Sequence, residues 1–168
     1  MGKNLKQTLY EGDWLRLVRI DHWESCERTH GQGMAVIVIA VTPDDEVLFV
    51  EQFRVPLGSR TIEMPAGLVG DLDATDTMEE AARRELLEET GAVVEPVGFH
   101  GVFMDTYGPN PDDHTHNTFY MCTVVGGEIA AADDAEELAW FAYADIPWTE
   151  LAFKNVTEAV ELWGGKPL

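Results

Sequence analysis

The chain has 168 residues, 45% of them hydrophobic, which favours one domain with a buried core over two domains. Its 31 acidic residues outnumber the 11 lysines and arginines, and the formal net charge is −20. A charge of this sign repels nucleic-acid backbones and anionic membranes, so we expect neither as a partner. Two interpretations of the acidity stay open, namely solubility and cation binding by some of the carboxylates.

The cysteines and the first residues point to a cytoplasmic protein. Cys26 and Cys122 are too few for a disulfide framework and form no CxxC pair, so we expect reduced thiols. Residues 1–10 lack the apolar run of a signal peptide. The longest strongly apolar run, residues 34–41, is too short to cross a bilayer.

The first third of the chain predicts β-strands. Residues 13–20 alternate apolar and polar side chains, as a half-buried strand does. Residues 33–41 are continuously apolar and rich in β-branched side chains, which is typical of a strand buried on both faces. A turn at residues 42–45 then leads into a second apolar strand at residues 46–53.

Residues 76–91 predict a helix with signals at both ends. Gly91 stands where a left-handed C-cap belongs. Two capping boxes are open at the N-terminus, Asp76 with Glu79 or Thr77 with Glu80.

Further strands are predicted at residues 96–104, 117–125 and 138–143, followed by an amphipathic helix at residues 148–163. Strands on both sides of a central helix favour an α+β sandwich over a doubly wound sheet. The motifs GxGxxG and GxxxxGK[ST] are absent, which excludes the common nucleotide-binding loops.

The predicted central helix carries a cluster of acids. Glu85, Glu88 and Glu89 stand at i, i+3 and i+4 and therefore share one face. Two like charges about 4 Å apart repel by roughly 4 kcal/mol at an effective dielectric of about 20, so the cluster needs cations. Arg84 reaches Glu88 at i+4, and Mg²⁺ or Mn²⁺ would suit the other carboxylates. A solvated helix face with ordinary ion pairs is the alternative interpretation.

The spacing around this helix resembles the Nudix hydrolases, whose box reads Gly-x5-Glu-x7-Arg-Glu-apolar-x-Glu-Glu-x-Gly-apolar. Counted from Gly70, every fixed position matches except that Asp76 replaces the first Glu. Counted from Gly67, which follows Pro65-Ala66, eight residues instead of five precede Asp76. We prefer the alignment from Gly67, which has a loop three residues longer than the box.

The resemblance implies a fold and a metal site. The fold is α+β, a Nudix-type mixed β-sheet sandwiched between helices (α/β/α) with an N-terminal antiparallel β extension. Residues 1–32 would be that extension, which forms a dimer, and residues 33–168 the hydrolase domain. The implied metal ligands are Glu85 and Glu89, with Glu88 nearby, and the carbonyl of Ala66. In catalysis, Arg84 would orient the glutamates and Glu88 would assist.

Two more stretches resemble the ADP-ribose pyrophosphatase branch, residues 50–54 with 63–68 and residues 11–15 with 23–25. In that branch N-terminal strands cross to a partner subunit, which implies a homodimer in which Trp14 and Trp23 stack on adenine. Both tryptophans could instead pack in the core or the dimer. Arg28 and Arg54 would contact phosphate or ribose, or form surface ion pairs. The remaining expected substrate contacts are Glu63, Leu68 and Asp105.

Residues 104–116 predict a loop that is longer than the corresponding loop of the branch. Because such loops select the substrate group beyond the pyrophosphate, the identity of that group stays open. Within it, residues 112–116 form a polar loop or, as the less favoured interpretation, bind a metal. The expected reaction is hydrolysis of ADP-ribose to AMP and ribose 5-phosphate. Alternatives are the same chemistry on a nucleotide sugar, a dinucleoside polyphosphate or an oxidised nucleotide, and a non-catalytic ADP-ribose sensor. We expect Glu137 as the general base, then Glu136, then Asp112 or Asp113.

Overall fold

The computed structural model describes residues 5–30, 34–106, 114–133 and 135–165. A seven-stranded mixed sheet lies between two helices, and a separate three-stranded sheet precedes it. The strands are β1 Lys6–Glu11, β2 Leu15–Ile20, β3 Trp23–Arg28, β4 Met34–Val41, β5 Glu46–Arg54, β6 Ser59–Glu63, β7 Ala66–Val69, β8 Ala92–Thr106, β9 His114–Gly127 and β10 Glu137–Ala142. The helices are α1 Met78–Thr90 and α2 Lys154–Gly164.

The large sheet has the strand order β10-β5-β4-β9-β8, with β6 paired to β5 and β7 paired to β4. Its pairs are antiparallel except that of β4 with β9, which is parallel. The sheet is therefore mixed, as predicted.

Strand β4 shows why helices cover both faces of this sheet. Successive side chains of a strand point to opposite faces. Ile39 and Val41 pack in one core cluster with the α2 residues Val156 and Val160. On the other face, the β4 residues Val36, Val38 and Ala40 pack with the α1 residues Ala81, Ala82 and Leu86. The continuous apolar run of β4 thus supplies both cores, and the predicted α/β/α arrangement is confirmed.

Helix α1 begins at the second of the two possible capping boxes. The hydroxyl of Thr77 accepts a hydrogen bond from the Glu80 backbone at 3.2 Å, and the Glu80 carboxylate accepts one from the Thr77 backbone at 2.8 Å. At the other end Gly91 has φ 67° and donates its backbone N–H to Leu87 at 2.9 Å. Both caps of α1 are local features, which is why the sequence alone could indicate them.

The last helix starts six residues later than predicted. The backbone N–H of Trp148 bonds to the carbonyl of Ile146, and Leu151 forms a parallel bridge with Ile62 of β6. The segment before α2 is therefore fastened to the sheet edge in a turn and an extended bridge. These tertiary contacts override the helical periodicity of the segment.

The predicted loop over residues 104–116 is wrong at both of its ends. Strands β8 and β9 extend into it, with Met104 opposite His116 and Asp105 opposite Thr115. Cross-strand pairing therefore places residues 104–106 and 114–116 in strands, although their sequence predicts a loop. The candidate bases Asp112 and Asp113 lie outside the described residues, and the metal-binding alternative for residues 112–116 stays a prediction.

The N-terminal sheet has the antiparallel order β1-β2-β3. Val18 is fully buried, whereas Tyr10, Trp14 and Trp23 are 68%, 67% and 71% exposed. Large aromatic side chains left in water on a small sheet are typical of an interaction surface. The dimer and the boundary at residue 32 stay predictions.

Both cysteines are free thiols. Cys26 is exposed, whereas Cys122 is buried on β9, where burial raises its thiol pKa to about 11. In the described parts of the chain, neither helix has the length and apolar character needed to cross a bilayer.

We expect Thr77→Ala to lower the free energy of unfolding by about 1 kcal/mol, because the first turn of α1 loses its capping oxygen. Urea unfolding followed by circular dichroism measures the change. Thr77→Ser keeps a capping hydroxyl and is the matched control, with an expected loss below about 0.5 kcal/mol. Equal stability of the alanine variant and the wild type would contradict the assigned cap.

Candidate active site

The Pro65-Ala66-Gly67 turn lies directly against α1. Ala66 and Gly67 begin β7, where they pair with Ile37 and Val36 of β4. A Cβ atom placed on Gly67 would lie 1.8 Å from Cδ of Glu85, so any other residue would displace that carboxylate. This close approach supports the alignment that counts the box from Gly67.

The acids of α1 differ in their exposure. The side chain of Glu85 is 12% exposed and that of Glu88 is 49% exposed. Glu89 is buried, at 7% exposure. Burial raises the pKa of Glu85 above its ordinary value, and the nearby guanidinium of Arg84 opposes that rise. Two carboxylates held out of water in this way favour a bound cation.

The guanidinium of Arg84 is the centre of the charge network beside this turn. Its side chain is only 20% exposed, and burial lowers its pKa while the surrounding acids more than offset that effect. Its contacts, in order of distance, are Asp71 at 2.6 Å, the Leu68 carbonyl at 2.9 Å, Glu85 at 2.9 Å, Glu88 at 3.4 Å and Asp76 at 3.6 Å. The predicted orienting role of Arg84 is compatible with this geometry.

Sequence reasoning missed Asp71 as a partner of Arg84. The two residues lie thirteen positions apart, and the contact depends on the path of the loop between β7 and α1. The available signal was the presence of acids, Asp71 and Asp73, in a loop that is three residues longer than the box.

The donor set fits a hard divalent cation. Among the described residues, no three acidic, histidine or cysteine side chains already converge on one point. Glu85 and Glu89 nevertheless place a partly buried and a buried carboxylate one helical turn apart, with Glu85 against the backbone of Gly67. Carboxylate oxygens in a partly dry site are the ligands that Mg²⁺ and Mn²⁺ prefer.

Arg54 and Glu63 form a second charged unit on β5 and β6. Arg54 donates two hydrogen bonds to the Glu63 carboxylate, through Nε at 2.8 Å and Nη2 at 2.6 Å. Thr61 donates a third, at 2.5 Å. Glu63 is 4% exposed, whereas the Arg54 side chain is 39% exposed, so a buried carboxylate orients a half-buried guanidinium. A direct substrate contact stays a prediction for both residues.

Glu137 begins β10, opposite Glu51 of β5. The chain before it is fixed at two points, where Ala132 donates to the carbonyl of Glu89 at 2.9 Å and Glu136 donates to that of Glu51 at 2.8 Å. The two anchors lie four positions apart along the chain, which limits the distance between their Cα atoms to about 14 Å. The Cα atom of Glu137, one residue further on, therefore lies within about 18 Å of the Cα atom of Ala132.

Arg60 ties the neighbouring acids together. Its two terminal nitrogens lie 2.6 Å from Glu51 and 2.6 Å from Glu136. Glu136 is thus engaged in an ion pair, which favours Glu137 over Glu136 as the general base. A cleft opens beside Glu137 and is lined by Phe49, Val50, Glu51, Ile62, Glu137, Leu138, Ala139 and Phe141.

The other predicted substrate contacts lie elsewhere or already have structural partners. Trp14, Trp23 and Arg28 stand exposed on the N-terminal sheet. The carbonyl of Leu68 accepts from Arg84. Asp105 accepts a hydrogen bond from the backbone of Asn155 at 3.4 Å, which places its carboxylate at the N-terminus of α2. Substrate binding by these residues stays a prediction.

Comparison with known proteins agrees with this arrangement. The Nudix domain family model matches residues 31–160, which is most of the chain. An ADP-ribose pyrophosphatase from Methanocaldococcus jannaschii is 30% identical over 115 residues, covering 68% of this chain and 64% of the relative. An ADP-sugar pyrophosphatase from Mus musculus is 32% identical over 109 residues, covering 54% and 49%.

A third relative is named NAD-capped RNA hydrolase NudC, from Klebsiella pneumoniae, and is 30% identical over 124 residues, covering 72% of this chain and 44% of the relative. The chain thus matches between 44% and 64% of the lengths of these three relatives. Since one of them is named for an RNA substrate, the absence of a nucleic-acid partner stays a prediction.

Solved structures show the same fold. A Nudix hydrolase from Nitrosomonas europaea has a TM-score of 0.60 at 22% identity and covers 95% of this chain and 84% of its own. An ADP-ribose pyrophosphatase from Streptococcus suis has a TM-score of 0.58 at 22% identity, covering 80% and 92%. With the family model, the box residues on α1 and the α/β/α sheet all in agreement, the chain belongs to the Nudix hydrolase family.

Proposed function

We propose that this protein is a metal-dependent pyrophosphohydrolase that cleaves ADP-ribose into AMP and ribose 5-phosphate. The observation that carries the proposal is the packing of the Glu85 carboxylate against Gly67, next to the buried Glu89. Carboxylates withdrawn from water at a family motif serve a function when a bound cation compensates their charge. The relatives named ADP-ribose pyrophosphatase and ADP-sugar pyrophosphatase support the substrate class.

The residues that would hold Mg²⁺ or Mn²⁺ are Glu85 and Glu89, assisted by Glu88 and the carbonyl of Ala66. When bound, the metal supplies charge neutralisation for the pyrophosphate and a lower pKa for a bound water. Arg84 holds these two carboxylates in a fixed orientation through its contacts with Glu85 and Glu88.

The side chains of the protein position the substrate and accept a proton. Trp14 and Trp23 stack on the adenine, and Arg54, oriented by Glu63, contacts phosphate or ribose. Water attacks one phosphorus, the bond from that phosphorus to the bridging oxygen breaks, and Glu137 accepts the proton that the water loses. The products are AMP and ribose 5-phosphate.

The same chemistry on another substrate is the second candidate function. The NudC relative is named for NAD-capped RNA, so a different group attached to the nucleoside diphosphate is compatible with the family. A hydrolysis screen of about twenty nucleotide derivatives with Mg²⁺ decides between these substrates. Calorimetric binding of ADP-ribose without turnover of any compound would instead indicate a sensor.

We expect Glu89→Gln to remove most of the activity, because the neutral amide is a weak ligand for a hard cation. The measurement is ADP-ribose hydrolysis at saturating Mg²⁺, with folding checked by circular dichroism. Glu95→Gln on the exposed side of β8 is the matched control and should retain wild-type turnover. Near-normal turnover of Glu89→Gln would show that the metal assignment is wrong.

We expect Glu137→Gln to lower kcat at least about a hundredfold while Mn²⁺ affinity hardly changes, because only the proton acceptor is lost. Rapid-mixing kinetics and Mn²⁺ titration measure the two quantities. Glu150→Gln, an exposed acid in the turn before α2, is the control. If Glu137→Gln is nearly wild type and Asp112→Asn or Asp113→Asn is inactive, the base lies between β8 and β9.

We expect the protein to be a dimer in solution and the Trp14→Ala/Trp23→Ala variant to raise KM for ADP-ribose at least about tenfold. The loss of two stacking contacts, each on the order of 1–3 kcal/mol, accounts for that change. Light scattering and steady-state kinetics test the two statements. Val97→Ala on β8 removes exposed apolar surface elsewhere and is the control. A monomer with an unchanged KM would refute the proposed base-binding surface.

A further inference from the structure

The loop between β7 and α1 places an additional carboxylate beside Arg84. This loop is three residues longer than the family box when counted from the Pro-Ala-Gly turn. Asp71 accepts the backbone N–H of Leu72 at 2.9 Å, and Asp73 accepts the backbone and hydroxyl of Thr75 at 2.9 Å and 2.7 Å. These internal hydrogen bonds order the loop and give Asp71 a defined position.

Asp76, which replaces the first glutamate of the box, stops short of a hydrogen bond with Arg84. Its Oδ2 lies 3.6 Å from Nε of Arg84, whereas N–H···O bonds measure about 2.7–3.2 Å. That Nε is buried, and among the described residues it has no hydrogen-bond partner. A glutamate would be longer by about one carbon–carbon bond, roughly 1.5 Å, and could reach it.

Asp71 accepts the hydrogen bond from Arg84 that Asp76 is too distant to accept. Its Oδ1 lies 2.6 Å from Nη2 of Arg84, which also donates to the Leu68 carbonyl at 2.9 Å. With Nη2 held by two acceptors, the other terminal nitrogen, Nη1, faces Glu85 at 2.9 Å and Glu88 at 3.4 Å. One terminal nitrogen of the guanidinium thereby contacts the loop, and the other contacts the helix.

We propose that Asp71 is the positioning residue for Arg84, and that the longer loop supplies it because Asp76 is one methylene too short for that role. The proposal rests on the proposed metal site at Glu85 and Glu89. Without Asp71, Nη2 could also turn onto Glu85 and Glu88, as Nη1 already does, and the guanidinium would occupy more of the oxygens that a cation needs. Asp71 thus keeps the glutamate oxygens available to metal.

The experiment measures Mn²⁺ binding by electron paramagnetic resonance and ADP-ribose hydrolysis in parallel. We expect Asp71→Asn to weaken Mn²⁺ binding at least about tenfold and to lower kcat, because outer partners of metal ligands commonly contribute 10- to 100-fold. KM should change less than about twofold. Asp73→Asn removes the same charge from the same loop, keeps an oxygen acceptor and should bind Mn²⁺ like the wild type.

Rescue by the longer acid tests the distance argument. Adding Asp76→Glu to Asp71→Asn should restore Mn²⁺ affinity to within about threefold of wild type, because the added methylene brings a carboxylate within reach of Nε. Asp76→Asn alone should weaken Mn²⁺ binding less than Asp71→Asn does. The inference is overturned if Asp71→Asn binds Mn²⁺ like Asp73→Asn, or if Asp76→Glu restores nothing. A wild-type protein that neither binds Mn²⁺ nor hydrolyses any nucleotide would instead refute the proposed function.

Discussion

The carboxylates of α1 are held close together against their mutual repulsion by the guanidinium of Arg84. Glu85 and Glu88 share one of its terminal nitrogens, and Asp71 holds the other. At a separation of about 4 Å, each like-charged pair near a protein surface contributes roughly 4 kcal/mol of repulsion unless cations compensate it. One internal cation reduces this repulsion and leaves further negative charge for a metal ion to neutralise.

The sheet makes this arrangement possible because it fixes the turn that faces the helix. Strand β4 packs α1 through Val36 and Val38 while it pairs with β7 at Ala66 and Gly67. The same strand therefore fixes the position of α1 over the sheet and the position of the Pro65-Ala66-Gly67 turn. The missing side chain at Gly67 then lets the Glu85 carboxylate approach the backbone, which no other residue would allow.

Two further charged units lie on β5, β6 and the residue before β10. Glu63 is buried and holds Arg54 with a two-bond fork, and Arg60 bridges Glu51 and Glu136. Partners of this kind hold a functional side chain in one orientation before substrate arrives. By contrast, Trp14 and Trp23 of the N-terminal segment are 67% and 71% exposed.

The sequence by itself determined the features that depend on near neighbours. The caps of α1 at Thr77 and Gly91, and the shared face of Glu85, Glu88 and Glu89, follow from spacing within a few residues, because helical geometry repeats every 3.6 residues. The two-faced burial of β4 was equally clear from its continuous apolar run.

Only the tertiary structure decided which distant residues meet. Asp71 reaches Arg84 across thirteen positions, Asp105 lies at the start of α2 fifty positions from Asn155, and β8 and β9 extend into the predicted loop. The late start of α2 follows from the bridge between Leu151 and Ile62. Such contacts depend on strand register and loop path, which many residues set together and no local pattern encodes.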